Sequence, residues 1–134
     1  MENSSTAEIE IIKKFYDAIN RNDIPAALEY FDLEIERIEP EGFPSSGTYR
    51  GLATIEVHFS QARATWAEGS CTPERFVGAK DKFVVFVHVH VRLKNKLEWI
   101  DAHIADGFIF RNDKIIQMRT FVDVDQALSW ADVS

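Results

Sequence analysis

An α+β fold, with N-terminal helices laid over one antiparallel sheet, follows from three features of the 134-residue sequence. Apolar residues recur at helical spacing in the first half of the chain, and they alternate with polar ones at strand spacing over most of the chain after Gly69. The alternating stretches are joined by connections too short for crossover helices, which makes their pairing antiparallel.

Ser5 and Glu8 have the spacing of a capping box, whose hydroxyl and carboxylate satisfy the free amides of a helix start. Ile9, Ile12, Tyr16 and Ile19 then form an apolar stripe, widened by Ile11, Phe15 and Ala18, that stops at Asn20-Arg21-Asn22. Asp23 is placed to cap a short second helix, with Pro25 in its first turn and Ala26, Ala27, Leu28, Tyr30 and Phe31 following. Residues 35–39 alternate as a short strand that ends at Pro40, and EGFPSSGTYRG reads as a turn. Leu52, Ile55, Phe59, Ala62 and Trp66 give the stripe of a third helix, ended by Gly69.

Strands are predicted over 72–79, 82–93, 97–110 and 114–122, with hairpin turns at Lys94-Asn95-Lys96 and Arg111-Asn112-Asp113-Lys114. A last short helix follows, capped by Asp123 or Asp125 and running through Gln126, Leu128 and Trp130. Strands this long bend, and a bent sheet closed by helices encloses a cavity.

Composition narrows the function classes. The chain is 46% hydrophobic and 28% charged, as expected of one soluble globular domain over residues 1–134. Its 16 aromatic residues have to line a core, a pocket or an interface. The net charge of −7 argues against nucleic acid or an anionic membrane surface as partner. Residues 1–60 carry 12 acids against 5 bases and the remainder 10 of each, so the acidic excess lies in the first part, with a dense run from Glu29 to Glu41. A single cysteine, Cys71, allows no internal disulfide and suits a reducing compartment. The N-terminus MENSSTAEIE lacks a signal-peptide pattern, and no apolar run approaches bilayer-spanning length; the expected location is cytoplasmic.

Several short motifs, in this order and spacing, resemble the NTF2-like superfamily and its SnoaL-like and ketosteroid isomerase branch. They are Phe15-Tyr16-Asp17-Ala18-Ile19 with Asn20-Arg21-Asn22-Asp23, Tyr30-Phe31, Glu39-Pro40 and Gly47-Thr48-Tyr49-Arg50-Gly51. Asp106-Gly107-Phe108-Ile109-Phe110, Asn112-Asp113-Lys114-Ile115 and Met118-Arg119 leading to Asp123 complete the set. The resemblance implies a cone-shaped α+β barrel, a homodimer and a pocket between sheet and helices. Ketosteroid isomerase combines a carboxylate base with an oxyanion hole of a tyrosine and a protonated aspartic acid. By that resemblance Glu39 stands at the base position, Asp106 at the oxyanion-hole aspartate and Phe15 at the tyrosine. Phe15 has no hydroxyl, so the tyrosine's part would fall to Tyr16 or Tyr30. Limonene-type epoxide hydrolases and SnoaL-like polyketide cyclases place a catalytic Asp where this chain has Thr120, and the cyclases' partner His aligns with Asp106.

Two carboxyls in a partly apolar site divide acid and base roles, because burial and mutual repulsion raise at least one pKa. Glu39 and Asp106 are therefore the candidate catalytic residues, with Phe15, Tyr30, Phe59, Trp66, Phe108, Met118 and Thr120 as the candidate substrate-binding set. If Asp106 faces inward, so do Ile100, Ala102, Ile104, Phe108 and Phe110; on the next strand the inward set by alignment is Ile116, Met118, Thr120 and Val122, with Arg119 outward. This lining is almost wholly apolar and suits a small hydrophobic or aromatic ligand.

On strand 82–93 Val85, Val87, Val89, Val91 and Leu93 share one face and His88, His90 and Arg92 the other. Two histidines at i and i+2 can ligate a metal with His103 or Asp106. No complete ligand set with motif spacing is visible, so a polar or dimer-facing sheet surface is the expected role and no metal or cofactor is implied. Trp99 and Phe86 are assigned to that outer side. The function expected from sequence is small-molecule binding, with cofactor-free isomerase, cyclase or lyase chemistry at Glu39 and Asp106. The alternatives are a non-catalytic ligand-binding or dimerisation module of the same fold, and a protein–protein adaptor using the convex sheet face.

Overall fold

The computed structural model describes residues 2–43 and 45–133, apart from the side chains of residues 2–5 and 79. Helix α1 (Glu2–Asn20) buries Ile12, Phe15, Tyr16 and Ala18. It begins ahead of Ser5, so the helix does not start at the predicted capping box; the Ser5 side chain lies outside the described residues. Its C-terminal carbonyls are satisfied from outside: Arg63 donates from Nε to the Ile19 carbonyl at 2.8 Å and from Nη2 to the Asn20 carbonyl at 3.0 Å. The Asn20 amide pairs in both directions with the Cys71 backbone, each bond 2.9 Å.

Helix α2 (Ile24–Ala27) is a single turn, capped by the Asp23 carboxylate, which accepts from the Ala26 amide at 3.2 Å. Strand β1 (Phe31–Glu39) starts earlier than its alternation suggests, and β2 (Gly47–Arg50) forms where only a turn is predicted. Pairing with β1 makes β2 a strand, and Arg50 reaches Glu36 across the pair at 2.8 Å. Helix α3 (Leu52–Ala64) buries Ile55 and Phe59 but ends before Trp66, which opens β3 (Trp66–Ala79). Gly69 is therefore not a helix terminator. Its φ is +121°, and a Cβ there would lie 2.2 Å from the His90 carbonyl oxygen, so it admits the close approach of β4 beside a bulge.

Strands β4 (Lys82–Leu93), β5 (Ile100–Arg111) and β6 (Lys114–Phe121) and helix α4 (Val124–Trp130), capped by Asp123, follow. The β5–β6 hairpin turns at Asn112 and Asp113, both with positive φ, the backbone twist that two-residue hairpin loops need. The sheet order is β2-β1-β6-β5-β4-β3; neighbours are antiparallel except β1 and β6, which run parallel. The sheet is open, with β2 and β3 at its edges.

Period-2 alternation gives the sheet two apolar faces. Helices α1, α2 and α3 cover one, where Phe83, Val85, Val87, Phe108, Phe110, Ile115 and Met118 meet the helix stripes. Helix α4 covers part of the other, over Val84, Ala105 and Phe121, with Phe86 and Trp130 beside them. Phe86 thus belongs to this second cluster. A bulge between Ile109 and Phe110 leaves Ile116 as the extra residue of β6, so Ile115 rather than Ile116 enters the core. Met118 and Thr120 are buried as predicted, whereas Val122 lies beyond the strand end and is exposed.

Gly107 sits beneath α4, and a Cβ there would lie 2.5 Å from the Trp130 ring. Gly107→Ala is expected to cost about 1–3 kcal/mol through this overpacking. In a Trp130→Ala background the same change should cost less than half as much, and denaturant midpoints of the four proteins measure the coupling.

Candidate functional site

The polar groups of the helix-covered face gather where β1, β6 and β5 lie side by side. On β1 the strand period puts Arg37 and Glu39 on the same side as the fully buried Ile35. Thr120 and Asp106 are direct cross-strand partners on β6 and β5. Tyr16 comes from α1 and His58 from α3, one residue before Phe59.

These side chains form one connected chain of contacts. Asp106, 3% exposed, accepts hydrogen bonds from the Tyr16 hydroxyl at one oxygen and from the Thr120 hydroxyl, at 2.7 Å, at the other. Thr120 Oγ1 in turn accepts from Arg37 Nη2 at 2.8 Å. Arg37, 7% exposed, also donates from Nη1 to the Ile38 and Met118 carbonyls, and its Nη2 lies 3.7 Å from Glu39 Oε2. Arg37 Nε is buried and makes no hydrogen bond to a described residue. Glu39 pairs with His58 Nε2 through Oε2 and accepts from the Ser45 hydroxyl at 2.8 Å through Oε1. The His58 ring stacks on Tyr49 at 4.0 Å between centroids.

Burial pushes the Asp106 carboxyl above its ordinary range, against the pull of the Arg37 charge and the Tyr16 and Thr120 hydrogen bonds. The Tyr16 phenol is pushed well above its ordinary value by burial and by the adjacent Asp106, so it stays a hydrogen-bond donor. The nearby Cys71 thiol is pushed up to about 12, chiefly by burial, and is no nucleophile at neutral pH.

The other sequence-predicted residues fall into two groups. Phe15, Phe59 and Phe108 belong to the core with Met118; Phe15 stacks on Phe31 at 5.5 Å and meets Phe59 and Phe108 at 5.9 and 6.0 Å. Much of the space assigned to a ligand is thus filled by ring-on-ring packing. Tyr30 stands between the ammonium groups of Lys14 and Lys114, 5.8 Å from each, and Trp66 lies under the Arg63 guanidinium at 4.4 Å; neither joins the polar chain. A cleft of about 560 Å³ opens at the C-terminal ends of β1 and β6, lined in part by Glu39, Glu41, Arg119, Thr120, Asp123 and Gln126. Two members of the polar chain, Glu39 and Thr120, reach it.

Sequence reasoning left out Arg37 and His58. Arg37 was legible from its parity with Ile35 and Glu39, and His58 from its place at the edge of an apolar helix stripe. Tyr16 supplies the hydroxyl that Phe15 lacks.

Residues 12–118 match the SnoaL-like domain model, and the chain belongs to that family. No curated protein matches the sequence. Among solved structures, TerC co-crystallised with polyporic acid is 21% identical, with 94% of this chain and 98% of that chain covered and a TM-score of 0.78. A protein with a ketosteroid isomerase-like fold from Catenulispora acidiphila, in complex with trimethylamine, is 14% identical, covers 93% and 94%, and has a TM-score of 0.75. A putative SnoaL-like polyketide cyclase from Jannaschia sp. is 14% identical over 96% and 94%, with a TM-score of 0.75. An NTF2-like protein from Burkholderia pseudomallei, 18% identical over 93% of this chain and 97% of that chain with a TM-score of 0.75, makes the fold NTF2-like.

With its native pKa raised, Asp106 contributes stability that is complete below the ordinary carboxylate range and is lost as pH rises through the raised value. Asp106→Asn cannot ionise, so its stability deficit against the unmodified protein should shrink over that window. Denaturant midpoints from about pH 4 to about pH 8 check the sign, and a pH-independent deficit would contradict it.

Proposed function

We propose that the protein is a single SnoaL-like domain that binds a small apolar or aromatic carbonyl compound and moves a proton on it without a cofactor, as an isomerase, cyclase or lyase does. The observation that carries this reading is the buried chain Asp106, Thr120, Arg37, Glu39, His58, two of whose members line the cleft. Burying so many polar and charged groups costs stability that an apolar core of the same shape would not. Such groups cluster where chemistry uses them.

In the proposed mechanism Glu39, at the cleft, takes a proton from a carbon next to the substrate carbonyl, while His58 and Ser45 hold its carboxylate in place. Burial favours the neutral acid form of Asp106, which is hydrogen-bonded to Thr120, a residue that also lines the cleft. Asp106 supplies the proton that the developing oxyanion or the product carbon takes up, and the proton on Glu39 replaces it through bulk water. The crystallisation of structural relatives with polyporic acid and with trimethylamine supports a small-molecule ligand in this fold. The homodimer and the reducing, cytoplasmic setting read from the sequence belong to the same proposal.

The packed rings of Phe15, Phe31, Phe59 and Phe108 favour a second reading, a binding module without catalysis. A thermal-shift screen of aromatic and polyketide-like carbonyl compounds, followed by NMR of substrate C–H exchange in deuterated water, separates the two. Exchange should fall about 10²-fold or more in Glu39→Gln and in Asp106→Asn with binding retained. Binding without exchange, or exchange indifferent to both changes, would leave the module.

A further inference from the structure

On the sheet face away from α1, α2 and α3, beyond the part that α4 covers, three histidines and two carboxylates stand on neighbouring strands. His88 and His90 project from β4 on the same side, and their cross-strand partners on β5 are His103 and Asp101. Asp106, which the sequence offered as a companion, has the opposite parity on β5 and faces the helices, so Asp101 takes its place. The ligand atoms of His88, His90 and Asp101 lie within 4.8 Å of one another. His88 Nε2 is 2.5 Å and His90 Nδ1 3.8 Å from Asp101 Oδ1.

We infer that His88, His90 and Asp101 form a binding site for a first-row divalent transition-metal ion such as Zn²⁺. Two imidazoles and a carboxylate are the ligand types that Zn²⁺ takes, and three protein ligands leave a fourth position open. Tetrahedral zinc needs ligand atoms about 3.3 Å apart, which these half-exposed side chains reach by small rotations. The rings are held from behind: His88 stacks on His103 at 4.5 Å and 3°, and His90 on Trp99 at 4.4 Å and 13°. Ring orientation of this kind preorganises a ligand set. Arg92, on the same side of β4, is tied to Glu68 at 2.8 Å, and Glu74 adds a further negative charge beside His103.

Glu74, His88 and His103 form a second candidate group that shares His88. The His90 side is favoured because both its histidines come from one regular strand, whereas Glu74 is the extra residue of a bulge in β3.

The test is calorimetric titration of the metal-stripped 134-residue chain with ZnCl₂. One ion per chain is expected, with binding weakened about tenfold or more in His88→Ala, His90→Ala and Asp101→Asn and less than about threefold in His103→Ala. A visible Co²⁺ ligand-field spectrum in the unmodified protein, displaced by Zn²⁺, is the readout that needs no variant. Ni²⁺ should quench tryptophan fluorescence through Trp99, and Trp99→Phe should abolish the quenching while ion binding stays. No saturable one-to-one binding, unchanged binding in His88→Ala, or a loss in His103→Ala equal to that in His90→Ala would overturn the assignment. None of these changes touches the Glu39 and Asp106 chain, so the result stands apart from the fate of the proposed acid–base function.

Discussion

Asp106 stands in an otherwise apolar layer, and the polar side of the fold is arranged around its need for partners. A carboxylate without water has to accept hydrogen bonds at both oxygens or take up a proton. Tyr16 and Thr120 supply the two bonds. Thr120 has a single hydroxyl proton, so once it donates to Asp106 its oxygen needs a donor of its own, and Arg37 provides it. A buried guanidinium in turn requires a counter-charge and carbonyl acceptors, which brings in Glu39, Ile38 and Met118. Each step follows from the one before, and the chain ends at His58, with Glu39 at the cleft.

That chain also explains the spatial order of the elements. Its members come from α1, β5, β6, β1 and α3; Asp106 and Thr120 meet across the β5–β6 hairpin, and the parallel pairing of β1 with β6 brings Arg37 and Glu39 to them. The parallel pairing puts the C-terminal ends of both strands at one rim, so Glu39 and Thr120 emerge together. Antiparallel pairing would have sent Glu39 to the opposite end of the sheet from Thr120.

The sequence discloses the faces more readily than the joints. Alternation in 87–91 and 101–108 is strong because the two faces carry distinct loads: Val87, Val89 and Phe108 toward α1, α2 and α3, and His88, His90, Ala105 and Gly107 away from them. The start of β3, with Ala67, Glu68 and Gly69, has no strand propensity and takes its form from β4, so it read as the end of a helix. The same holds for β2, which exists only as a partner of β1. The bulge in β6 leaves no trace in composition, and it moved the phase by one residue at Ile115. Within the site, a helix stripe broad enough to bury both Phe15 and Tyr16 does not say which reaches the sheet. The answer depends on the position of Asp106, ninety residues away.

The single-residue parity of β5 has a chemical consequence. Even-numbered Asp106 and Phe108 face the helices, while odd-numbered Asp101 and His103 face away. Two clusters of titratable groups therefore share one strand without sharing an environment. Around Asp106 desolvation dominates, and proton affinity is set by burial and a fixed set of donors. Around Asp101 the side chains are between about a third and two thirds exposed, so solvent screens the charges. Helix α4 draws the boundary on the outer face: Trp130 packs over Gly107 and beside Val84, Ala105 and Phe121, and the histidines lie beyond that cluster. A sheet only one residue thick thus keeps the buried Asp106 cluster and the solvent-facing His88, His90 and Asp101 cluster apart, on opposite faces of the same strand.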